Sequence, residues 1–477
     1  MNYTIIFNFA GNLLKFLSLV MVVPLLVAVY YGESLLPFGI TIAITGILGI
    51  ILSRVYRVEG EWKVKEGLAI VVFAWITAAI FGSIPFMLEG VSVINSIFET
   101  MSGFTSTGAT VLVDIEAYSK SLLFWRSMTQ WIGGMGIIVL FIAILPKLGV
   151  AGRQLFRAEA PGPMEDKLKP RIRSTAKTLW SVYFVISSLE VVALLLAGLS
   201  LYDAVTHTFS TMGCGGFSPY GEGIAAFNSP LVESIITLFM FAAGANFALY
   251  YRTIFSDRSS LIKDEEFRTY SLILISLTLV LSVVLWQDAY QNIFESFRYA
   301  IFQVVSISTA TGFATVDFNM WSDSAKFVLL AAMFVGGTAG SAAGGVKVVR
   351  SLLFVKLSFR ELFRLLHPKS VRPIKFNGKA VPENVIMSVV SFLGLYILLS
   401  FFTASVLALQ GVDIVSSLTA SFATIGNIGP GFNIVGPYAN FDVIPFLGKV
   451  MLIGNMLFGR LELLTVFVLF LPEFWEE

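Results

Sequence analysis

Charge is scarce in this sequence. Asp, Glu, Lys and Arg make up 13% of the 477 residues, whereas an ordinary soluble domain carries roughly 25%. Hydrophobic residues make up 56%, and the mean hydropathy is +0.82. A soluble chain of this length would need more charge to cover its surface, so the composition predicts an integral membrane protein surrounded by a lipid bilayer. The formal net charge of +1 offers no overall field for a polyanion, and we expect no nucleic-acid partner.

Residues that build metal and redox sites are also scarce. Cys214 is the only cysteine, which excludes an internal disulfide, and two histidines, His207 and His367, are too few for a usual zinc site. The apolar segments carry no set of His, Asp and Glu ligands and no Gly-x-Ser-x-Gly nucleophile motif. The sequence therefore predicts that the protein is not an enzyme. The N-terminal apolar stretch lacks the basic region and cleavage site of a signal peptide, and we expect it to be retained.

Apolar stretches long enough to cross a bilayer are abundant. A membrane-spanning helix needs about 20 mainly apolar residues. Ten candidate spans lie near residues 7–31, 35–53, 67–88, 121–146, 175–200, 230–251, 269–287, 322–346, 384–409 and 444–470. The predicted fold class is all-α, with about ten transmembrane helices.

Basic residues are unevenly distributed between the connections. Of the 32 Lys and Arg residues, 25 lie in four connections, with 4, 8, 4 and 9 of them in 54–65, 147–177, 252–268 and 347–379. Segments 201–229 and 410–443 contain none. By the positive-inside rule the four basic connections are cytoplasmic. An even number of spans then places both termini in the cytoplasm, and we predict a multi-pass protein of the cytoplasmic (inner) membrane.

A repeated pattern organises the last eight spans. They form four pairs, and each pair encloses a connection of about 30 residues that is predicted to be a short helix followed by a glycine turn. The short helices are predicted near 94–103, 204–211, 296–308 and 415–422, followed by glycines 108, 216, 312 and 429, which are 108, 96 and 117 residues apart. This pattern predicts four diverged copies of one unit. The predicted division is an N-terminal helical hairpin, 1–60, and four units, 61–150, 151–256, 257–366 and 367–477.

The four glycine loops favour an ion site. Extended backbone at membrane depth is tolerated only where it lines water or is buried in protein, and glycine lets carbonyl groups point inward. A ring of such carbonyls replaces the hydration shell of potassium, and one chain with four loops can close that ring around a pseudo-fourfold axis. Each short helix would direct its partly negative C-terminal end at the ion. The alternative is that the small residues only let helices pack closely, but four equivalent loops favour the ring.

The residues after the first loop resemble a known family. The stretch Phe124–Ser127 (FWRS) leads into Gln130–Gly136 (QWIGGMG), and together with the four loops this is similar to the Trk/Ktr/HKT superfamily of potassium transporters. The resemblance covers nearly the whole chain and is strongest to the membrane subunit of bacterial Trk systems. It implies four M1–pore helix–M2 units and potassium as the bound and transported ion. It also implies a homodimer and a cytoplasmic nucleotide-binding ring as regulatory partner.

Two registers fit loops two and four. Gly213 and Gly426 also match a Thr-x-Gly pattern, but the Gly-Gly-Phe and Asn-Ile-Gly contexts of Gly216 and Gly429 resemble the family's conserved glycine more closely. The predicted potassium filter therefore consists of Ser106, Thr107, Gly108, Gly215, Gly216, Thr311, Gly312, Ile428 and Gly429. The four loops differ in sequence, so we expect an asymmetric filter.

The eighth predicted span contains five glycines within ten residues, Gly336, Gly337, Gly340, Gly344 and Gly345. Each glycine inside a helix costs about 1 kcal/mol relative to alanine, so a regular helix is disfavoured. One interpretation is close packing of small residues. The other, which the resemblance supports, is an unwound segment below the filter that acts as a gate. A phosphate-binding loop is disfavoured because no Gly-Lys-Ser/Thr follows.

Arg460 lies within the last predicted span. A central arginine costs about 2.5–3.5 kcal/mol on insertion scales, so it usually faces a cavity or a partner. It could pair with Glu462 or reach toward the inner surface. Alternatively its charge lies in the pore below the filter and opposes cation flow, and the resemblance implies that it acts there together with the glycine-rich gate.

Other transport functions stay open. The sequence does not distinguish a channel from a transporter that couples potassium to proton or sodium movement. A transporter of organic solutes also uses broken helices at the membrane midplane, but normally with two inverted halves. The predicted function is potassium uptake through the four-loop filter.

Overall fold

The structure, a computed structural model, describes residues 3–56, 64–136 and 172–476, and α-helices account for most of them. A two-stranded hairpin pairs β1 (Lys375–Phe376) with β2 (Lys379–Ala380). The predicted all-α fold class is confirmed.

The N-terminal hairpin consists of α1 (Tyr3–Val20), α2 (Val22–Tyr31) and α3 (Leu36–Val55). Pro24 has no backbone N–H to donate to the carbonyl four residues earlier. The helix is interrupted at Met21, three residues before Pro24. Gly11 and Gly49 let α1 and α3 approach closely, because a Cβ on Gly49 would lie 2.8 Å from the Gly11 carbonyl oxygen.

Four units follow, each with an outer helix, a short buried helix and a second helix. The first contains α4 (Val64–Gly82), α5 (Ile84–Leu88), α6 (Val93–Phe104) and α7 (Lys120–Gly134). The second contains α8 (Ile172–Leu196), α9 (Leu201–Met212), α10 (Pro230–Ala243) and α11 (Phe247–Phe255).

The third and fourth units repeat this order. The third contains α12 (Ser260–Lys263), α13 (Glu265–Asp288), α14 (Ile293–Ser308), α15 (Asp323–Met333) and α16 (Val348–Leu366). The fourth contains α17 (Glu383–Leu409), α18 (Ile414–Ile425), α19 (Phe446–Leu461), α20 (Leu463–Phe467) and α21 (Pro472–Trp475).

Polar caps fix where the short helices begin. The side chains of Ser200, Asn292 and Asp413 accept hydrogen bonds from backbone N–H groups in the first turns of α9, α14 and α18. Such caps satisfy donors that a helix start leaves unpaired. Three of the four short helices therefore start at capped positions, since Ser92 before α6 makes no such bond. All four carry their C-terminal ends into the protein interior, where Phe104, Met212, Ser308 and Ile425 are buried.

The predicted spans match the helices in different ways. Six helices or helix pairs among the described residues are long and apolar enough to cross a membrane, and they match the predictions near 7–31, 35–53, 67–88, 175–200, 269–287 and 384–409. The spans predicted near 230–251 and 444–470 are bent, by 91° and 114°. The span near 322–346 is helical only to Met333, and 137–146 of the span near 121–146 lies outside the described residues.

Candidate functional site

The four loops have the same backbone conformation. Each contains a residue and, two positions later, a glycine with left-handed dihedrals; the pairs are Ser106 and Gly108, Cys214 and Gly216, Ala310 and Gly312, and Asn427 and Gly429. The N–H between each pair donates to a carbonyl five residues back, namely Thr107 to Ser102, Gly215 to Ser210, Thr311 to Ser306 and Ile428 to Ala423. Gly213 and Gly426 instead end their helices with φ of −70° and −78°. Gly108, Gly216, Gly312 and Gly429 are therefore structurally equivalent.

The loops touch one another in a closed ring. Each equivalent glycine lies against the carbonyl oxygen of the middle residue of the next loop: Gly108 against Gly215, Gly216 against Thr311, Gly312 against Ile428, and Gly429 against Thr107. A Cβ on the first three glycines would overlap that oxygen, and on Gly429 it would lie 2.8 Å away. Eight of the nine residues predicted for the filter take part in these contacts. The ninth, Ser106, lies in loop one directly before Thr107.

A buried ion pair supports the ring from outside. Arg126 of α7 contacts Glu99 of α6 at 2.6 Å, and their side chains are 2% and 0% exposed. Glu99 also accepts from the Thr110 hydroxyl at 2.9 Å and the Val111 N–H at 2.9 Å, while Arg126 donates to the Ser218 carbonyl at 2.8 Å. The pair thereby connects the chain after loop one to the chain after loop two. The sequence analysis missed Glu99, although a lone acidic residue inside an apolar helix was a visible signal.

A cavity of about 110 Å³, called the upper cavity below, opens beside the ring. It is lined by the four equivalent glycines and by loop residues that include Tyr220 and Tyr438. Burial and then the nearby carboxylates of Glu222 and Asp317 raise the pKa of Tyr438 to about 12. Burial and Asp203 likewise raise the pKa of Tyr220 to about 12. Both phenols stay neutral at physiological pH. Arg126, which also lines the cavity, is paired with Glu99.

A second cavity of about 100 Å³, called the lower cavity below, lies at the C-terminal ends of the second helices. Its lining includes Gly340, Gly344, Gly345, Lys347 and Arg460. The Arg460 guanidinium donates to the carbonyl oxygens of Ala342 at 2.9 Å and Gly134 at 2.8 Å, and also to that of Gly133. Glu462, the partner considered for Arg460 in the sequence, forms an ion pair with Arg350. Arg460 therefore joins three of the four units beneath the ring.

The glycine-rich segment is not helical. It lies between α15 and α16, and Gly336, Gly340 and Gly345 have φ of +68°, +81° and +78°. A Cβ on Gly344 would lie 2.5 Å from the Gly426 carbonyl oxygen, which places the segment directly under loop four, and a Cβ on Gly337 would lie 2.8 Å from the Gly244 carbonyl oxygen.

The second unit and α13 of the third unit hold this segment in place. The Thr338 N–H donates to the Gly244 carbonyl at 2.9 Å, at the bend between α10 and α11. The buried carboxylate of Glu266 accepts from the N–H groups of Ala339 at 2.8 Å and Val349 at 3.1 Å. The sequence analysis identified the segment but not these attachments.

Cys214 of loop two and His207 of α9 both lie in buried surroundings. Cys214 is 1% exposed and has φ of +52°. His207 is fully buried, with one ring nitrogen 2.8 Å from the Asp203 carbonyl oxygen and the other 3.0 Å from the Ser218 hydroxyl. Both positions agree with packing and hydrogen bonding.

Comparisons with known proteins agree with this arrangement. The profile of the TrkH family, described as a cation transport protein, matches residues 39–477. The chain is 40% identical to the Trk system potassium uptake proteins TrkH of Salmonella typhimurium and Escherichia coli, with 100% of both chains covered in each case. It is 35% identical to the E. coli potassium uptake protein TrkG, over 99% of this chain and 98% of that one.

A solved structure has the same fold. The crystal structure of the potassium transporter TrkH from Vibrio parahaemolyticus matches with a TM-score of 0.90 and 37% sequence identity, and the match covers 100% of both chains.

Proposed function

The chain belongs to the TrkH family of cation transport proteins, and on that basis we propose that it carries potassium into the cell through the ring of four loops. The family consists of membrane potassium transporters and not of enzymes, in agreement with the sequence prediction. The observation that carries the proposal is the closed ring, in which the carbonyl oxygens of four equivalent residues each lie against a glycine of the adjacent loop.

The ring supplies the chemistry that a dehydrated potassium ion needs. We assign the filter to the carbonyls of Thr107, Gly215, Thr311 and Ile428, with the glycines allowing the loops to approach. Carbonyl oxygens replace the hydration shell of the ion, and the partly negative C-terminal ends of the short helices α6, α9, α14 and α18 terminate at the ring. The carboxylates near the upper cavity would raise the local cation concentration at its entrance.

The gate is proposed for the lower cavity. Gly336, Gly337, Gly340, Gly344 and Gly345 form the flexible part, and Arg460 supplies a fixed positive charge. A positive charge in a narrow passage of low dielectric raises the energy of a passing cation, and salt screens it weakly there. The hydrogen bonds from Arg460 to backbone carbonyls on both sides support a role in keeping the passage closed.

The proposed assembly with other subunits rests on the family to which the chain belongs. The relatives are named as proteins of a Trk system, and we propose a homodimer regulated by a cytoplasmic nucleotide-binding ring. The basic connection 347–379 directly follows the glycine-rich segment, so a regulator that moves this connection would act on the gate. We retain the division into a hairpin, 1–60, and units 61–150, 151–256, 257–366 and 367–477, in the cytoplasmic membrane with both termini inside.

Flux through the purified protein tests the proposal. Proteoliposomes that contain the protein should take up potassium and rubidium, with and without an imposed proton gradient, and the protein should restore growth at low potassium to cells that lack their own uptake systems. Absence of potassium and rubidium flux, both alone and with the regulatory ring, would overturn the proposed function.

A further inference from the structure

The four loops are supported in two different ways. In loops one and three, threonine hydroxyls within the loop contact each other, Thr105 with Thr107 at 2.8 Å and Thr309 with Thr311 at 2.8 Å. Loops two and four have glycine at the first of these positions, Gly213 and Gly426. They lack that threonine pair and are held by side-chain amides.

In loop four the amide belongs to the loop itself. Asn427 donates to the Thr107 hydroxyl at 2.9 Å and to the Met456 carbonyl at 3.0 Å. In loop two the amide comes from another unit, because Gln130 of α7 donates from Nε2 to the Gly215 carbonyl oxygen at 2.7 Å. The Oε1 of Gln130 accepts from the Phe217 N–H at 3.0 Å.

The orientation of the Gln130 amide is determined by its surroundings. The Phe217 N–H can only donate and therefore requires Oε1, which leaves the Nε2 donor for the Gly215 carbonyl. Gln130 is 0% exposed, so water does not compete for these bonds. The same residue accepts the Ser106 hydroxyl through its backbone carbonyl at 3.3 Å. Gln130 thus contacts loops one and two at once.

Gln130 and Gly215 fit each other. A Cβ on Gly215 would overlap the Gln130 side-chain amide, with its Nε2 only 2.6 Å away. The other three middle positions of the ring carry side chains, on Thr107, Thr311 and Ile428. Glycine at position 215 therefore provides the space that the glutamine occupies.

We infer that Gln130 is a positioning residue for ion selectivity, which acts by fixing the Gly215 carbonyl and engaging one of its two lone pairs. This inference rests on the proposed function, since it assumes that the ring is the filter. One of the four ring carbonyls, that of Gly215, would then be oriented by a side-chain amide. Among the described residues, no side-chain amide donates to the other three ring carbonyls. Gln130 would set the asymmetry of the filter and the ions that it admits.

Two variants separate the hydrogen bond from packing. Gln130→Leu removes both the donor and the acceptor at similar volume. Gln130→Glu keeps an acceptor for Phe217 N–H but, when ionised, loses the donor to Gly215. Loss of a neutral hydrogen bond changes an equilibrium by about fivefold, so we expect both variants to lower the potassium/sodium permeability ratio about fivefold at neutral pH.

Lowering the pH should reverse the effect of Gln130→Glu on the permeability ratio. A protonated carboxyl group has one O–H donor and one carbonyl acceptor, as the amide does. As the pH falls and the glutamic acid becomes protonated, its permeability ratio should return toward that of the wild type. A purely structural role would reduce the flux of all ions together and would not produce this recovery. If Gln130→Leu fails to fold, the pH profile of Gln130→Glu decides.

Gln410 provides a matched control. It also donates to a backbone carbonyl, that of Val406 at 2.9 Å, and accepts a backbone N–H, that of Gly448 at 3.2 Å, but it is not part of the ring or of either cavity. Gln410→Leu should keep the wild-type permeability ratio.

The outcomes separate the inference from the proposed function. If the Gln130 variants keep the wild-type ratio while Gly216→Ala changes it, the inference is overturned and the filter assignment stands. If the wild-type protein conducts no potassium, the proposed function itself fails.

Discussion

At the scale of single residues, the loop glycines are constrained both by their dihedrals and by their neighbours. Gly108, Gly216 and Gly312 have φ of +83°, +71° and +81°, and a Cβ on each would overlap a carbonyl oxygen of the ring. Gly429 has φ of +98°, but its Cβ would be 2.8 Å from the Thr107 oxygen. Substitution therefore displaces the ring most at the first three positions.

We predict that alanine at these positions lowers ion discrimination. Gly108→Ala, Gly216→Ala and Gly312→Ala should each reduce the potassium/sodium permeability ratio by about fivefold or more, since left-handed dihedrals alone cost a non-glycine residue about 1–2 kcal/mol. Gly429→Ala should have the smallest effect. Reversal potentials or competitive flux in proteoliposomes provide the measurement.

Gly198 and Gly411 are suitable controls for strain alone. They have φ of +94° and +91°, and an added Cβ would meet nothing within 4 Å. Alanine there should lower thermal stability without altering the permeability ratio. If alanine changes the permeability ratio as much at these controls as at the ring glycines, the ring is not the selectivity filter.

The buried pair of Glu99 and Arg126 is predicted to stabilise the region around the ring. Removing one partner of a buried ion pair leaves an uncompensated charge and typically costs about 3–5 kcal/mol. Glu99→Leu and Arg126→Met should each lower the unfolding temperature strongly in detergent, while the double variant should lose less than the sum. The pair of Arg298 and Glu233, in which the arginine is 33% exposed, should show weaker coupling. Additive effects at Glu99 and Arg126 would contradict the prediction.

Single residues also mark the limit of sequence reasoning. The four glycines could be found because they recur at similar spacing in segments of similar pattern. The hydrogen-bonding partners of Glu99 and Gln130 could not, because Arg126 is 27 residues from Glu99 and Gly215 is 85 residues from Gln130. Only the folded chain brings them together.

At the scale of secondary-structure elements, the second helices of three units are interrupted. α10 bends into α11 by 91° at Gly244–Asn246, and α19 bends into the following helices by 114° at Glu462. In the third unit the glycine-rich segment separates α15 from α16. Only this last interruption was predicted from the sequence, because five clustered glycines are a local signal. The bend at Glu462, where φ is +63°, has no comparable signal within its apolar span.

Glu266 is predicted to hold the glycine-rich segment in its observed conformation. Its Oε1 accepts from two N–H groups ten residues apart, at Ala339 and Val349, and a buried N–H group left without an acceptor costs about 1–3 kcal/mol. Glu266→Ala should raise basal potassium flux in the absence of a regulator and increase hydrogen exchange in residues 336–345. Glu266→Gln keeps an acceptor oxygen and should behave more like the wild type.

A surface carboxylate on the neighbouring helix serves as the control. Glu361 of α16 is 50% exposed and pairs with Arg360 and Arg364, and Glu361→Ala should leave the flux unchanged. Unchanged flux and exchange in Glu266→Ala would mean that the segment keeps its conformation without this contact.

At the scale of the whole molecule, the ring and the proposed gate each depend on several units. The ring contains a carbonyl from every unit, so no single unit could form the proposed filter. Beneath it, Arg460 of the fourth unit contacts Gly133 and Gly134 of the first and Ala342 of the third. The fourfold architecture was predictable from the repeat, whereas the choice of contacts between units was not, because it depends on how diverged copies pack.

Arg460→Ala tests whether these contacts close the passage. Removing the guanidinium eliminates both a positive charge in the lower cavity and the hydrogen bonds that hold the glycine-rich segment to the first unit. We expect basal potassium flux to rise about tenfold, which corresponds to about 1.4 kcal/mol of barrier. The permeability ratio should stay close to that of the wild type, because the filter carbonyls belong to other residues.

Arg460→Lys retains the charge but lacks the planar fork of donors and should give an intermediate flux. Arg298→Ala, which removes an arginine bonded to Glu233 outside both cavities, is the matched control. Wild-type or lower basal flux in a folded Arg460→Ala variant would assign Arg460 a structural role only.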